Sequence, residues 1–249
     1  VNNAPIDLRV AVLPTMFGES VVMRILDRGN VSLDLEKCGL RPDELETFRQ
    51  LIKKPNGIVI VTGPTGSGKT VSLYTGLNIL NTSERNISTA EDPVEINLEG
   101  INQVNVNPRQ GMDFSQALRA FLRQDPDIIM VGEIRDVETA DNAIQASLTG
   151  HLVFSTIHTN DAAGAFTRLI DMGVEPFLVA STLEAIMAQR LVRTLCESCK
   201  QAYQPADENL PKDFPLSDLH KAGGTIYRSV GCRLCRHVGY LGRVGLYEL

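Results

Sequence analysis

An eight-residue glycine-rich segment at 63–70, with the spacing G-x-x-x-x-G-K-T, constrains the fold more than any other part of the chain. It follows the apolar run 58–61 and precedes a helical pattern over 69–80. A strand that turns through glycines into a helix exposes backbone N–H groups at the positive end of the helix, where a polyphosphate can approach closely. The segment therefore predicts a nucleoside triphosphate site in an α/β fold.

Every residue of this segment is a candidate for nucleotide binding: Gly63, Pro64, Thr65, Gly66, Ser67, Gly68, Lys69 and Thr70. Glycines leave room for the phosphates beside the backbone. The Lys69 ammonium is expected between the outer phosphates, and the Thr70 hydroxyl has the length to reach a Mg²⁺ ion that bridges them. Lys69 and Thr70 are the first predicted site residues.

Length and charge limit the possible classes of protein. A chain of 249 residues that is 43% apolar can bury a core in one main domain plus an appendage. The net charge of −6 argues against a general nucleic-acid surface, although it leaves a local basic groove open. No apolar run approaches the roughly 18 residues of a membrane span, and no signal peptide begins the chain. Any membrane role is expected to go through partners.

Two segments near the start, 7–13 and 19–26, alternate apolar and polar residues on either side of a loop at 14–18. This pattern predicts a β-hairpin. The chain begins with Val1 and ends with Leu249 inside another alternating segment. We therefore expect both ends to be cut from a longer protein, with the hairpin as the remnant of a preceding domain.

From residue 42 onwards, helical and strand patterns alternate. The predicted strands are 58–61, 87–90, 128–131 and 152–156. The predicted helices are 42–51, 69–80, 114–122, 137–148, 162–172 and 176–191. Strands separated by helices imply a mostly parallel sheet that is covered on both faces, which is the architecture of a P-loop α/β core.

Carboxylates follow two of the predicted strands. Glu133 follows an apolar strand in the segment 127–136, and ligands of parallel α/β sheets lie beyond such strand ends. It is expected near the γ-phosphate, where it can bind the water shell of the metal or polarise the attacking water. Glu91 opens the second acidic segment, 91–95, in which Pro93 holds the preceding residue in an extended conformation. Either glutamate can be the general base.

Two histidines flank the strand predicted at 152–156, His151 before it and His158 after it. By the strand-end rule, His158 is the one nearer the nucleotide. It is expected to sense the γ-phosphate as a neutral donor or to link the site to a neighbouring subunit. A structural role remains an alternative for both histidines, because imidazole serves many purposes near neutral pH.

Four cysteines form two C-x-x-C pairs, Cys196 with Cys199 and Cys232 with Cys235. Two such pairs can surround one Zn²⁺ with four thiolates, which leaves no open position for catalysis and predicts a structural site. Disulfides are the alternative, disfavoured in a chain with cytoplasmic ATP chemistry. The segment 204–224 between the pairs is polar and predicts a loop. Cys38 stands outside this set as a small apolar residue.

A zinc ribbon that binds nucleic acid is a further alternative for the cysteines. Between residues 190 and 249, nine basic residues face six acidic ones, and zinc thiolates would offset that excess. This balance weakens the nucleic-acid interpretation.

Taken together, the phosphate loop at 63–70, the acidic segment 91–95, the Walker B segment 127–136, a histidine segment at 149–160 and the four cysteines are highly specific. The chain resembles, over nearly its whole length, the ATPases of type II secretion and type IV pilus assembly in the secretion ATPase superfamily. The resemblance implies a RecA-like P-loop ATPase core with a mostly parallel sheet. A β-hairpin remnant of an α+β N-terminal domain would precede this core, which would carry a small zinc-binding lobe.

The resemblance also implies domain boundaries. Residues 1–29 would be the end of a PAS-like N-terminal domain and 30–36 a linker. Residues 37–249 would be the ATPase domain, which includes a tetracysteine zinc lobe at 194–240.

A homohexamer on the cytoplasmic face of the inner membrane is implied as well, attached through an inner-membrane platform and cytoplasmic adaptor proteins, with no nucleic acid. In the family, hydrolysis of ATP moves the domains and drives pilin or pseudopilin subunits into a growing fibre. Arg9 and Arg24 match arginines of the N-terminal domain that reach the phosphates, within a subunit or between neighbours. Facing hairpin strands are suited to aim two guanidiniums at one transferring phosphoryl group.

One residue departs from the family pattern. Val71 stands where a second hydroxyl residue commonly follows the loop threonine, which puts a contact to the inner phosphates in doubt. The resemblance implies that retraction ATPases lack the paired cysteines, so assembly or secretion is favoured over retraction. A nucleic-acid translocase and a small-molecule P-loop kinase remain the alternatives of other classes.

Overall fold

A computed structural model describes residues 7–26, 33–206, 209–221 and 223–249. Its strands are β1 (Asp7–Thr15), β2 (Gly18–Leu26), β3 (Gly57–Thr62), β4 (Ile87–Glu91), β5 (Asn102–Asn105), β6 (Ile128–Val131), β7 (Leu152–Ile157), β8 (Leu183–Leu195), β9 (Gln201–Tyr203), β10 (Ile226–Arg228) and β11 (Tyr240–Glu248). Its α-helices are α1 (Pro42–Leu51), α2 (Lys69–Leu80), α3 (Phe114–Phe121), α4 (Val137–Leu148), α5 (Ala162–Asp171), α6 (Pro176–Thr182) and α7 (Leu216–Lys221). Short 3₁₀ turns lie at Leu35–Lys37 and Pro108–Gln110.

The chain divides into two compact units. The first comprises Val1–Arg190 and Tyr247–Leu249, and the second comprises Leu191–Leu246. The domain boundaries given by the resemblance stay predictions, and residues 1–6 and 27–32 of the predicted remnant and linker lie outside the described residues.

A seven-stranded sheet with the order β11-β8-β3-β7-β6-β4-β5 forms the centre of the fold. The neighbours β8 and β3, β3 and β7, β7 and β6, β6 and β4, and β4 and β5 pair in parallel. Every residue of β3, β6 and β7 is buried, as expected for strands that are covered on both faces. The predicted α/β architecture with a mostly parallel sheet is confirmed.

The alternation of side chains along β3 creates two hydrophobic clusters, one on each face of the sheet. Ile58 and Ile60 belong to a cluster with apolar residues of α3, α4 and α5. Val59 and Val61 belong to the other cluster, with residues of α1 and α2. The two layers of helices hold β3 and the loop that follows it between them.

The hairpin formed by β1 and β2 is antiparallel, with Cα pairs running from Asp7↔Leu26 to Thr15↔Gly18. Its strands extend further towards the turn than the sequence pattern predicted. Apolar side chains from Leu8 to Ile25 are about half exposed or more on both faces of the hairpin. Arg9 lies directly opposite Arg24, so both side chains project from the same face.

The predicted helix at 176–191 is wrong beyond its first two turns. Helix α6 ends at Thr182, and β8 begins at Leu183 and pairs in parallel with β3. A short apolar run does not distinguish a buried helix from a buried strand, and here pairing with a central strand decides the outcome. The polar edge strand β5 was also not predicted.

The second unit, Leu191–Leu246, holds the four paired cysteines and a two-stranded antiparallel sheet of β9 and β10. The segment 204–224 is not entirely a loop, because α7 forms within it and buries Leu219. Within the described parts of the chain, no helix combines the length and apolar character needed to cross a bilayer.

Truncation of a buried aromatic residue should measure how much α1 contributes to this fold. Phe48 is 1% exposed in the cluster formed with α2, so Phe48→Ala should lower the free energy of unfolding by about 3–5 kcal/mol. Phe177→Ala is the matched control, since Phe177 is 67% exposed and its loss should cost less than about 0.5 kcal/mol. Urea unfolding followed by circular dichroism measures both, and equal midpoints would contradict the assigned packing.

Candidate functional site

A cleft of about 300 Å³ lies where the segments after β3, β4, β6 and β7 meet. Because parallel strands end on the same edge of a sheet, these segments converge although they are far apart in sequence. The predicted site residues that line the cleft are Arg9, Arg24, Thr65, Gly66, Lys69, Thr70, Glu91, Glu133 and His158. Gly63, Pro64, Ser67 and Gly68 complete the loop that forms its floor.

The backbone of this loop approaches strand β8 too closely for a side chain at its first position. Gly63 has φ +140°, and a Cβ atom there would lie 2.2 Å from the backbone oxygen of Gln189. The side chain of Gln189 also accepts a hydrogen bond of 2.8 Å from Ser72 Oγ on α2. One residue of β8 thus contacts both the start of the loop and the helix that follows it.

The N-terminus of α2 differs from those of the next three helices. Asp113, Asp136 and Asp161 cap α3, α4 and α5 with side-chain hydrogen bonds. Gly68 is the N-cap of α2, in the left-handed conformation with φ +87°, and makes no side-chain cap. An uncapped, positive helix end that faces a cleft is suited to an anion.

Lys69 brings a buried positive charge to the loop. Its Nζ donates hydrogen bonds to the backbone oxygens of Gly63 at 2.8 Å and Pro64 at 3.1 Å. Burial lowers the pKa of Lys69, while the charge of Glu133 acts in the opposite direction. Ser67 Oγ is buried with no hydrogen-bond partner among the described residues. This set of donors fits a polyphosphate.

Glu91, at the end of β4, is 3% exposed and accepts several hydrogen bonds. Tyr74 Oη donates to its Oε2. Thr89 Oγ1 at 2.5 Å and Gln103 Nε2 at 3.2 Å donate to its Oε1. Most of its capacity as an acceptor is therefore used within the protein.

Glu133 is more accessible, with 17% of its side chain exposed. Its Oε1 accepts a hydrogen bond from Arg135, which raises the pKa of that guanidinium. Its Oε2 lies 3.4 Å from Nε2 of His158. Arg135 Nη2 also lies 3.9 Å from a carboxylate oxygen of Asp92. These contacts orient Glu133 beside the cleft.

Other polar residues of the predicted segments have structural positions. Asp127 lies at the opposite end of β6, where its carboxylate accepts a hydrogen bond of 2.7 Å from the Asn86 N–H. His151 lies before β7 with Nδ1 2.8 Å from the Ala146 oxygen. Neither residue lines the cleft.

The paired hairpin arginines and Glu95 all line the cleft. Burial raises the pKa of Glu95, and the charge of Glu91 adds to this effect. Arg9 opposes both by lowering the pKa of the same carboxyl group. Arg9 and Arg24 thus add positive charge to a cleft that Glu91, Glu95 and Glu133 also line.

Several residues of the site were not identified from the sequence. A signal for Arg135 was present in the sequence, because this residue lies two positions after Glu133, beyond the end of the same strand. Tyr74 also had one, because it lies four residues after Thr70 on the same helix and therefore on the same face. Gln103 had none, since it lies on the strand β5 that was not predicted.

The four paired cysteines meet in the second unit, with all four sulfurs within 4.8 Å of one another. Sγ–Sγ distances are 3.9 Å between Cys196 and Cys232 and 3.8 Å between Cys199 and Cys235. A tetrahedral Zn²⁺ with bonds of about 2.3 Å would space its sulfurs about 3.8 Å apart. All the cysteines are free, so the arrangement fits a metal and no disulfide is formed.

Backbone N–H groups support this cluster. Those of Cys232 at 3.1 Å and Gly239 at 3.2 Å point to the sulfur of Cys235. Chiefly through the bond from Cys232, they lower the pKa of Cys235 to about 6. A thiolate is the form that binds a metal, so these bonds favour the ligand form of Cys235.

Comparison with curated proteins identifies relatives across the chain. The type IV pilus assembly ATPase PilB of Pseudomonas aeruginosa strain PAO1 is 60% identical over 247 residues, which cover 98% of this chain and 43% of that protein. The type II secretion system ATPase E of Vibrio cholerae serotype O1 is 55% identical over 249 residues, covering 100% of this chain and 49% of that protein. The chain thus spans about half the length of these relatives.

Solved structures show the same fold. The pilus retraction motor PilT with bound ADP has a TM-score of 0.66 at 33% identity, covering 76% of this chain and 57% of that chain. The Legionella pneumophila ATPase DotB has a TM-score of 0.62 at 27% identity, covering 76% of this chain and 54% of that chain.

The match to a protein family extends over the whole chain. The family model described as "Type II/IV secretion system protein" matches residues 1–249, the range that contains the phosphate loop, both acidic segments and the cysteine cluster. On this evidence the chain belongs to the type II/IV secretion system protein family.

Proposed function

We propose that this chain is the ATP-hydrolysing part of a motor that powers assembly of pilin or pseudopilin fibres, for type II protein secretion or type IV pilus extension. The observation that carries the proposal is the single cleft that gathers the phosphate loop, Glu133, Glu91 and His158. One relative named for type IV pilus assembly is 60% identical to this chain, and one named for type II secretion is 55% identical. These similarities support a role in either kind of machine.

Binding of ATP would use the loop 63–70 and the start of α2. The N–H groups of the loop and the uncapped helix end would hold the outer phosphates. The Lys69 ammonium would exchange the neutral oxygens of Gly63 and Pro64 for charged phosphate oxygens, with which a hydrogen bond is stronger. The ADP bound to PilT, a relative in fold, supports this assignment.

Hydrolysis would use Glu133 as the general base. Glu91 is nearly saturated with donors, whereas Glu133 is more exposed and lies at the cleft. Glu133 would accept the proton of the attacking water, and His158 and Arg135 would hold its carboxylate in place. Thr70 would bind a Mg²⁺ ion, which neutralises charge on the phosphates.

Arg9 and Arg24 would stabilise the charge that develops on the transferring phosphoryl group, because they lie opposite each other on one face of the hairpin and both line the cleft. We propose that the motor is a homohexamer that binds no nucleic acid. It would attach to the cytoplasmic face of the inner membrane through a platform protein and cytoplasmic adaptors. Relatives that are named as parts of secretion and pilus machines support such partners.

The cysteine cluster would hold one structural Zn²⁺ through Cys196, Cys199, Cys232 and Cys235. Four protein ligands close the coordination sphere, so the ion would stabilise the second unit and take no part in hydrolysis. Few apolar residues of this unit are fully buried, which makes a metal cross-link valuable.

Release of inorganic phosphate tests the proposed reaction. The chain should release phosphate from Mg-ATP without any acceptor molecule, and single- or double-stranded DNA should not raise the rate. A phosphate-binding fluorescent sensor measures both. Stimulation by DNA would support a translocase instead, and transfer of phosphate to an added metabolite would support a kinase.

Two variants should separate binding from hydrolysis. Lys69→Ala removes charge-assisted hydrogen bonds and should weaken ATP binding by about 2–3 kcal/mol, roughly 30- to 150-fold in Kd. Glu133→Gln should retain ATP while kcat falls about 10²- to 10⁴-fold, through loss of the base. Calorimetry with Mg-ATP and phosphate release measure the two effects. The exposed Lys53→Ala is the control for lysine loss, and normal turnover by Glu133→Gln would refute the assigned base.

Removal of one thiolate should release the zinc. Cys199→Ser should lower the zinc content from about one ion per chain, because three remaining thiolates leave the tetrahedral site incomplete. The Kd for ATP should stay unchanged. Mass spectrometry of the metal content provides the measurement, with Cys38→Ser as the matched control that keeps its zinc. A zinc content near wild type in Cys199→Ser would exclude the four-thiolate site.

A further inference from the structure

Tyr74 connects the helix of the phosphate loop to the acidic segment. It lies on α2, four residues after Thr70, and its side chain is fully buried. The ring belongs to the cluster that joins α1 and α2 to the sheet. A ring packed in this way cannot turn away from its hydrogen-bond partners without disturbing the core.

The hydroxyl of Tyr74 has a fixed direction of donation. Its oxygen accepts hydrogen bonds from the backbone N–H groups of Glu95 at 3.2 Å and Ile96 at 3.5 Å. Its single proton is donated to Oε2 of Glu91. Burial, with the bond to Glu91 as a further cause, raises the pKa of Tyr74, so the phenol stays protonated at physiological pH.

Glu91 can accept one more hydrogen bond, and it can do so at Oε2, the oxygen that accepts the bond from Tyr74. A carboxylate offers about four acceptor sites, two on each oxygen. Thr89 and Gln103 fill those of Oε1, whereas among the described residues Tyr74 alone donates to Oε2. Glu91 lines the cleft, and its Oε2 keeps one acceptor site that no described residue fills.

We propose that Tyr74 is a positioning residue that fixes Oε2 of Glu91 as the acceptor for one water molecule of the magnesium–nucleotide complex. The inference rests on the proposed hydrolysis of ATP and deepens it by giving Glu91 a role distinct from that of the base Glu133. Because α2 begins at the phosphate loop, Tyr74 also places this acceptor at a fixed position relative to Lys69 and Thr70. A hydroxyl in the core thereby helps to organise the water shell of the nucleotide.

The variant Tyr74→Phe removes the donor and keeps the buried ring. Loss of such an outer partner should lower kcat for phosphate release about 10- to 100-fold. KM and the Kd for Mg-ATP should stay within about twofold, because Tyr74 does not line the cleft. Thr75→Val is the matched control, which removes a buried hydroxyl of the same helix that donates a hydrogen bond to the backbone oxygen of Val71. It should leave kcat and KM unchanged.

A double-mutant cycle with Glu91→Gln separates positioning from a general structural role. Once Glu91 is glutamine, Tyr74→Phe should cause no further fall in kcat, since both changes remove the same oriented carboxylate. Tyr74→Phe alone could fail to fold, because the buried carboxylate of Glu91 loses a donor. In that case the double variant provides the test, because it has no charged side chain at residue 91. Its kcat should then equal that of Glu91→Gln.

Three results would overturn the inference while the wild-type chain hydrolyses ATP: normal kcat in Tyr74→Phe, normal kcat in Glu91→Gln, or additive losses in the double variant. Absence of phosphate release by the wild-type chain would instead refute the proposed function itself.

Discussion

Parallel pairing of β3 with β7 and β8 is the constraint on which the rest of the structure depends. It directs the end of β3 to the same edge of the sheet as the ends of β4, β6 and β7. The phosphate loop, Glu91, Glu133 and His158 meet there although nearly a hundred residues separate the first from the last. Helices on both faces bury the strands, so this edge provides a rigid base for the polar side chains of the cleft.

The charged residues of the cleft differ in their hydrogen-bond partners and in their exposure. In the proposed mechanism, this difference would give each of them a different role. Lys69 contacts neutral backbone oxygens that a phosphate can replace. Glu91 is held by donors from α2, β4 and β5 and keeps a fixed orientation. Glu133 meets His158 and Arg135 near the surface and is accessible to water. In the proposed mechanism, burial and hydrogen bonding, more than residue type, would separate the positioned acceptor Glu91 from the base Glu133.

Local patterns in the sequence predicted the phosphate loop and α2 because their glycines and apolar spacing act over few residues. The same patterns did not predict β8, because it forms a strand by pairing with the distant strand β3. They also did not predict Gln103, because it lies on the short polar edge strand β5. The resemblance indicated Arg9 and Arg24, and the hairpin register places them opposite each other. The bond of Tyr74 to Glu91 was not predicted, because it requires the packing of α2 against the sheet, and the bond of Thr89 to Glu91, within β4, was not predicted either.

The close approach of Gly63 to the backbone of Gln189 couples the position of β8 to the position of the phosphate loop. With no side chain at residue 63, no rotamer change can absorb a displacement of the strand, and the hydrogen bond from Ser72 to Gln189 ties the following helix to the same point. A displacement of β8 at Gln189 would therefore move the start of the loop and the following helix together. In mechanical terms, β8, the start of the loop and α2 are linked at one residue, Gln189.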